Sequence, residues 1–233
     1  DLHIFEVTLR CDYTCKYCQV SRRMEGAEAF DMSQDTAIRS LKLMFMSPSQ
    51  SLKIEFQGGE PLLNFDLIKF IVKTAKEMNL TEDRHLQFVI TSNLTFVNDE
   101  LIEFCDKNDI YISTSLDGPE DIHNKNRPRP NKDGYIKTIQ GIKKIQNSLG
   151  FNKVSALMTT TVDSLERPRE IIDEYVNQNL HSIFLRPLSP YGFAIKTKQT
   201  EKYNIDNWME FYREGLRYII DLNKAGYFMV EQY

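Results

Sequence analysis

The sequence predicts an α/β fold built around parallel strands, and two observations carry this prediction. Apolar runs rich in β-branched residues alternate with amphipathic helical patterns six times along the 233 residues. The segments read as apolar runs rather than as clean alternations, which is expected of strands covered on both faces. Such alternation implies parallel strands joined by right-handed crossovers. The expected architecture is therefore an open doubly wound sheet or a partial barrel.

The elements follow from the positions of these patterns. The predicted strands are residues 3–9, 52–57, 86–92, 110–116, 154–162 and 182–188. The predicted helices, where apolar residues recur at three- and four-residue spacing, are residues 33–46, 65–78, 99–107, 135–149, 167–178 and 206–224. Ser33 is expected to cap the first helix. The polar, proline-rich segment 123–134 is expected to be an exposed loop.

The unusual residues of the chain follow the predicted strands. A cysteine-rich loop at residues 9–21 follows the first strand, and "GGEP" at residues 58–61 follows the second. "TSN" at residues 91–93 and "SLDG" at residues 115–118 end the third and fourth. Ligands of parallel α/β folds bind at the carboxyl ends of the strands. We therefore expect these four segments to form one site.

Composition excludes several classes of partner. The net charge is −4, from 29 basic and 33 acidic residues, so bulk electrostatics gives no reason to expect binding to nucleic acid or an anionic membrane. No apolar run approaches the ~20 residues that span a bilayer. The N-terminal "DLHIFEVTL" lacks the features of a secretory signal, and four cysteines in a chain of this length are not a disulfide framework. These features predict a reduced, cytoplasmic protein.

Three of the four cysteines, Cys11, Cys15 and Cys18, lie within eight residues. A structural zinc site usually draws four ligands from two separated pairs. Closely spaced thiolates fit a [4Fe–4S] cluster better, because each can take a different iron. Three ligands for four irons leave one iron open. The alternatives are a zinc-stabilised binding module, an electron-transfer iron–sulfur protein with a fourth ligand, and inert thiols. Cys105 lies on a helical apolar stripe and is predicted to be a core thiol.

The spacing C-x₃-C-x₂-C, with Tyr17 before the third cysteine, resembles the radical SAM enzymes. "GGEP" at residues 58–61 resembles that family's segment at the methionyl amino group. "SLDG" followed by "IHNKNR", at residues 115–127, resembles the branch that modifies peptides and proteins, the SPASM type. "LRCDYTCKYCQVSR", "EFQGGEPLLNF" and "FLRPLSPYGFA" resemble, more narrowly, the radical SAM maturase of the His-Xaa-Ser peptide system. The resemblance implies a partial (β/α)₆ TIM-like barrel.

The resemblance also implies a domain organisation. The peptide-modifying branch continues into a cysteine-rich C-terminal extension that binds auxiliary clusters. This sequence has no cysteine after Cys105. The expectation is that residues 1–233 are a radical SAM core domain, a fragment without that extension.

The cofactors implied by the resemblance are a [4Fe–4S] cluster and S-adenosylmethionine. The implied cluster ligands are Cys11, Cys15 and Cys18. The implied cofactor-binding residues are Gly58, Gly59 and Glu60 at the ammonium, Ser115 and Asp117 at the ribose with Ser92 and Asn93 as neighbouring candidates, Arg127 at the carboxylate and Tyr17 beside the adenine. Each has an alternative. "GG" and "SLDG" are also turn sequences, Arg127 and Arg129 also suit a solvated loop, and Tyr17 also suits packing. Arg186, inside an apolar run, is expected to meet substrate or cofactor.

The implied reaction is reductive cleavage of S-adenosylmethionine to methionine and a 5′-deoxyadenosyl radical, which abstracts hydrogen from a peptide or protein side chain. Action on a small molecule is the alternative within the family. The implied partners are the peptide or protein substrate and an electron donor such as a flavodoxin or ferredoxin. No catalytic residue beyond the cluster is assigned.

Overall fold

The computed structural model describes residues 1–20, 22–23 and 26–232, which form two compact units. The first unit contains residues 1–12 and 22–113. The second contains residues 13–20 and 114–232. Strand β4 (Ile110–Ser115) passes from the first unit to the second along the chain. Among the described residues, no helix has both the length and the apolar character needed to cross a membrane.

The first unit alternates strands and helices. Its elements are β1 (Leu2–Thr8), α1 (Gln34–Phe45), β2 (Ser51–Gly58), α2 (Phe65–Glu82), β3 (His85–Thr91), α3 (Asp99–Asn108) and the start of β4. Its strands are parallel, with Phe5 opposite Phe56 and Phe88 opposite Ile110. Ile54, Phe56 and Ile90 in these strands are fully buried, as are Leu41 of α1 and Ile68 of α2. The predicted apolar runs are wrong for β2, which alternates apolar with polar residues and buries every second side chain.

The second unit contains shorter elements. They are α4 (Glu120–Asn126), α5 (Gly134–Leu149), β5 (Val154–Thr159), α6 (Pro168–Asn177), β6 (Ser182–Ile183), β7 (Leu185–Arg186), α7 (Phe193–Lys196), α8 (Gln199–Lys202), α9 (Ile205–Lys224) and β8 (Val230–Glu231). Short 3₁₀ turns occupy Ala27–Phe30 and Pro61–Asn64 in the first unit, and Phe151–Lys153 and Val162–Ser164 in the second.

Six parallel strands follow one another in the sheet in chain order, β1-β2-β3-β4-β5-β7. The predicted α/β class with parallel strands is confirmed. The predicted helix cap is also confirmed, because Ser33 Oγ accepts a hydrogen bond from the Thr36 amide at 3.1 Å. Pro168 stands at the first turn of α6, where its missing N–H costs nothing.

Three predictions are wrong in detail. The strand predicted at residues 182–188 is two short strands, and β6 pairs with β8 while β7 pairs with β5. The strand predicted at residues 154–162 ends at Thr159, because Thr161 begins a capped 3₁₀ turn. The segment 123–134 is not a wholly exposed loop: it begins inside α4, where His123 and Asn126 are buried.

Candidate active site

The cysteine loop divides between the two units. Cys11 belongs to the first unit and is partly exposed. Cys15 and Cys18 belong to the second, where Cys15 is buried and Cys18 is partly exposed. Cys105, in α3, is 1% exposed, so its predicted place in the core is confirmed.

Ion pairing fixes the chain just before Cys11 in the first unit. The Arg10 guanidinium donates to both carboxylate oxygens of Asp31, at 3.1 Å from Nε and 2.7 Å from Nη2. Nη2 also donates to the Leu63 carbonyl at 2.6 Å. A bidentate arginine–carboxylate pair restricts orientation as well as distance. The entry to the cysteine loop is therefore held on one side by Asp31 and on the other by Leu63.

The "GGEP" turn is built against this same stretch of backbone. The Gly59 amide donates to Thr8 O at 2.8 Å, and the Glu60 amide donates to Arg10 O at 2.7 Å. A Cβ on Gly58 would lie 2.2 Å from Thr8 O, and one on Gly59 would lie 2.1 Å from Arg10 O. Both glycines are therefore required for close backbone contact within the first unit.

Glu60 is fully buried, and its carboxylate is already engaged. Oε1 accepts from the Leu62 amide at 3.0 Å and from Ser92 Oγ at 2.8 Å, while Oε2 accepts from the Asn93 amide at 2.7 Å. Burial raises the pKa of the Glu60 carboxyl to about 7, although the hydrogen bonds from Asn93, Leu62 and Ser92 oppose the shift. A carboxylate has about four acceptor positions, and three of those of Glu60 are occupied.

Asn93 extends this network toward the cysteine loop within the first unit. Its Nδ2 donates to Asp12 Oδ1 at 2.7 Å, and Asp12 directly follows Cys11 in the chain. The structure thus brings together Glu60, Ser92 and Asn93, three residues singled out from the sequence. In this arrangement the Glu60 carboxylate braces the turn.

A second buried cluster lies in the second unit. Tyr17 Oη donates to the two oxygens of Asp117, which lie at 2.8 and 2.7 Å, and accepts from Arg127 Nη1 at 2.9 Å. Asp117 is fully buried and Arg127 is partly buried. Burial raises the pKa of Asp117, and the charge of Arg127 opposes this. Burial likewise raises the pKa of Tyr17 well above its usual range.

Asp117 is 0% exposed and accepts from Tyr17, a position that favours a role in fixing Tyr17 and Arg127. Its ribose role stays a prediction. Gly118, the next residue, has φ +127°, and its Cβ would lie 2.7 Å from Ile171 Cγ1. Ser115 ends β4 and is partly exposed, so its ribose role stays a prediction.

The remaining arginines differ in their surroundings. Arg127 is not a solvated loop charge, because its Nη1 donates to Tyr17 Oη. Against the opposing effect of burial, the charges of Cys15, Tyr17 and Asp117 raise the pKa of Arg127 well above its usual range. Arg129 forms an ion pair with Asp133. Arg186 is partly exposed at the end of β7, and its carbonyl accepts from the Thr160 amide at 2.9 Å. A contact of Arg186 with substrate or cofactor stays a prediction.

Two features were missed from the sequence. His123 is fully buried and its Nδ1 accepts from the Asp117 amide at 3.4 Å; burial lowers the pKa of this histidine well below its usual range. The segment after β7 contacts the cysteine loop, since the Phe193 amide donates to Cys18 O at 2.8 Å and Thr197 Oγ1 donates to Lys16 O at 2.8 Å. "LSPYGFA" contains no chemically distinctive side chain that would have indicated this contact.

The three-cysteine loop and the glycine–glutamate turn define the class of protein. Residues 5–174 match the Radical SAM superfamily, and the chain belongs to that family. A cysteine-type anaerobic sulfatase-maturating enzyme of Clostridium novyi is 31% identical over 230 residues, which cover 92% of this chain and 61% of that protein.

Solved structures share the fold. Native anSMEcpe with bound AdoMet superposes with a TM-score of 0.82 at 16% identity, over 100% of this chain and 63% of that chain. Streptococcus suis SuiB bound to precursor peptide SuiA gives a TM-score of 0.68 at 20% identity, over 95% of this chain and 46% of that chain. The predicted partial-barrel fold of the radical SAM type is confirmed. The chain spans less than two thirds of the length of each of these proteins.

Proposed function

We propose that this chain is the radical SAM core of an enzyme that modifies a peptide or protein side chain. A [4Fe–4S] cluster on Cys11, Cys15 and Cys18, with S-adenosylmethionine on its open iron, would supply a 5′-deoxyadenosyl radical that abstracts hydrogen from the substrate. Family membership supports the cofactors. The relatives that mature sulfatases or bind a precursor peptide support the substrate class.

The observation that carries the proposal is the cysteine loop, with its three thiols and its hydrogen-bonded backbone. Three sulfur donors stand on one segment, and its backbone is held by the protein itself, through Thr14 and Lys16 amides that donate to Pro128 O at 2.8 Å and Asn126 O at 2.9 Å. Thiolates are the usual ligands of iron–sulfur clusters. The donor set and its fixed backbone therefore fit the group.

The roles of the remaining residues belong to the same proposal. The backbone of Gly58, Gly59 and Glu60 would meet the cofactor's ammonium, with the buried Glu60 carboxylate keeping the turn in shape. Ser115 and Asp117 are the proposed ribose contacts, with Ser92 and Asn93 as neighbouring candidates, and Tyr17 would lie beside the adenine. Arg127 would meet the methionyl carboxylate through the part of its side chain that stays exposed.

The electron that the reaction consumes would come from an acidic redox protein such as a flavodoxin or ferredoxin, and such a donor fits a cytoplasmic enzyme. Both the donor and the cellular location remain part of the proposal.

The test is anaerobic reconstitution with iron and sulfide. We expect about four irons per chain, a brown protein, and conversion of S-adenosylmethionine to 5′-deoxyadenosine on reduction with dithionite. Cys15→Ala is expected to lose both iron and cleavage. Cys105→Ala is the matched control, because it removes a thiol that packs in the core, and it is expected to keep both.

Two results would contradict the proposal. A colourless protein that holds one zinc per chain would favour a binding module. Loss of iron in Cys105→Ala would make that thiol a ligand and favour an electron-transfer protein.

A further inference from the structure

The part of the cysteine loop that carries Cys18 is hydrogen-bonded by two segments, both within the second unit. On one side, the carbonyl of Asn126, the last residue of α4, accepts the Lys16 amide, and the carbonyl of Pro128, two residues further on, accepts the Thr14 amide. On the other side, residues 192–197, which we name the strap, donate to the carbonyls of Lys16 and Cys18 at 2.8 Å each. The amides of residues 14 and 16 are therefore bound by residues 128 and 126, and the carbonyls of residues 16 and 18 are bound by the strap.

Gly192 is the point of closest approach. Its φ is +57°, in the region that favours glycine, and its Cβ would lie 2.5 Å from Cys18 O and 3.0 Å from Gln19 O. The adjacent Phe193 amide then reaches Cys18 O. A side chain at residue 192 would have to displace either the strap or the peptide that joins Cys18 to Gln19.

Apolar packing anchors the strap on the same segment. Ala194 is fully buried and clusters with Tyr17 and Leu188, and Tyr203 packs against this cluster. Tyr203 Oη in turn lies 2.6 Å from Thr160 Oγ1, just after β5. The strap is thus tied to the sheet end of the second unit, and movement at residue 192 is not easily absorbed.

The strap lies outside residues 5–174, the part of the chain that matches the family. We propose that Gly192 is a positioning residue that holds the third cluster ligand, Cys18, in place through direct contact of the strap with its peptide. This inference rests on the proposed function, since it presumes that Cys18 ligates a cluster. Gly192 contacts no reacting atom in this account; it acts only through the backbone of Cys18.

The experiment measures how fast reconstituted protein releases iron to a chelator under anaerobic conditions, together with the electron paramagnetic resonance spectrum of the reduced cluster. Gly192→Ala is expected to release iron about tenfold faster, the lower end of the loss on removing an outer partner of a metal ligand. A changed spectrum is expected to accompany it. Gly226→Ala is the matched control, because Gly226 also has a positive φ, +95°, but no atom of the described part of the chain lies within 4 Å of an added Cβ.

Thr197→Val is a gentler variant for the case that Gly192→Ala perturbs folding. It removes the hydroxyl that lies 2.8 Å from Lys16 O and 2.9 Å from Phe193 O, four residues earlier. Thr74→Val is its control, because Thr74 Oγ1 makes the same four-residue contact, to Phe70 O at 2.8 Å within helix α2. Thr197→Val is expected to speed iron release in the same direction by a smaller factor.

The outcomes separate the two proposals. If the unsubstituted protein takes up no cluster, the proposed function fails first. If it does, and Gly192→Ala with an unchanged circular dichroism spectrum releases iron at the unsubstituted rate, the positioning role is overturned. If Gly192→Ala is misfolded, unchanged release by Thr197→Val overturns it instead.

Discussion

Glu60 in the first unit and Asp117 in the second are both fully buried carboxylates that follow a parallel strand. The donors to Glu60 are two backbone amides and one hydroxyl, all uncharged. Asp117 instead faces Tyr17, whose hydroxyl also accepts from the charged Arg127. A buried carboxylate can thus be satisfied by the shape of the backbone or by a cation reached through another side chain. The two solutions predict different sensitivities to substitution and to pH.

The largest loss of stability is expected at Gly59, where close backbone contact leaves no room for a side chain. Gly59→Ala places a Cβ 2.1 Å from Arg10 O and 2.8 Å from Leu9 O. Backbone atoms cannot swing aside, so we expect the free energy of unfolding to fall by more than about 3 kcal/mol. Urea denaturation followed by circular dichroism measures this.

Gly26→Ala is the control for that substitution. Gly26 has φ +59° and, among the described residues, no atom within 4 Å of an added Cβ, so only backbone strain of about 1 kcal/mol is expected. Equal losses for the two variants would show that collision with residues 9 and 10 is not what makes Gly59 necessary.

The next effect concerns the pH dependence of stability. The carboxyl of Glu60 has a folded pKa of about 7 against an ordinary 4.5, so the folded state holds a proton that the unfolded state has lost. Its contribution to stability is therefore full below pH 4.5 and disappears as pH rises through 7, a loss of about 3 kcal/mol between pH 4.5 and 8.

Glu60→Gln isolates this contribution, because it cannot titrate. Unfolding free energies at pH 4.5 and 8 are expected to differ by about 3 kcal/mol less in Glu60→Gln than in the unsubstituted protein. Parallel pH profiles for the two proteins would mean that Glu60 has a charged partner after all, and the contrast with Asp117 would vanish.

The smallest loss of stability is expected from removing the Tyr17 hydroxyl, which bridges Arg127 and Asp117. Tyr17→Phe keeps the ring and removes the hydroxyl that joins Arg127 to Asp117. The buried Asp117 and the partly buried Arg127 then each lose a hydrogen bond, so a loss of about 2 kcal/mol is expected. Tyr13→Phe is the control, since Tyr13 Oη donates one neutral bond to Gly134 O at 3.2 Å. It is expected to cost about 1 kcal/mol. A smaller loss for Tyr17→Phe than for Tyr13→Phe would mean that Arg127 meets Asp117 without the hydroxyl.

Sequence reasoning located the strands of the first unit because apolar residues are concentrated in them. In "LKIEFQ" at residues 52–57 within β2 they alternate with polar residues, and Leu52, Ile54 and Phe56 are the buried side chains. It failed at residues 182–188, where the apolar pattern gives no hint that Ser182 and Ile183 pair with a strand after α9. Strand partners depend on tertiary contacts that local periodicity does not encode. The helix α4 was missed since "EDIHNKN" has no apolar stripe.

The site was predicted unevenly for a related reason. Side chains with distinctive chemistry, such as Cys11, Cys15, Cys18 and Glu60, were recognisable from type and spacing. What they contact was not, because a hydrogen bond from Tyr17 to Asp117 joins residues 100 positions apart. Gly192 was passed over altogether, since its role depends only on the space that a missing side chain leaves.

The hydrogen bonding of residues 14–18 by two segments has a consequence for how a metal would be acquired. Ordering a free residue costs about 1–2 kcal/mol in chain entropy, and small metal domains meet that cost only when the ion arrives. Here the peptide groups are already paired with residues 126 and 128 and with residues 192–197. Residues 14–18 would then be ordered before a cluster binds. Hydrogen exchange of the Lys16 amide should therefore be slow before iron is added as well as after.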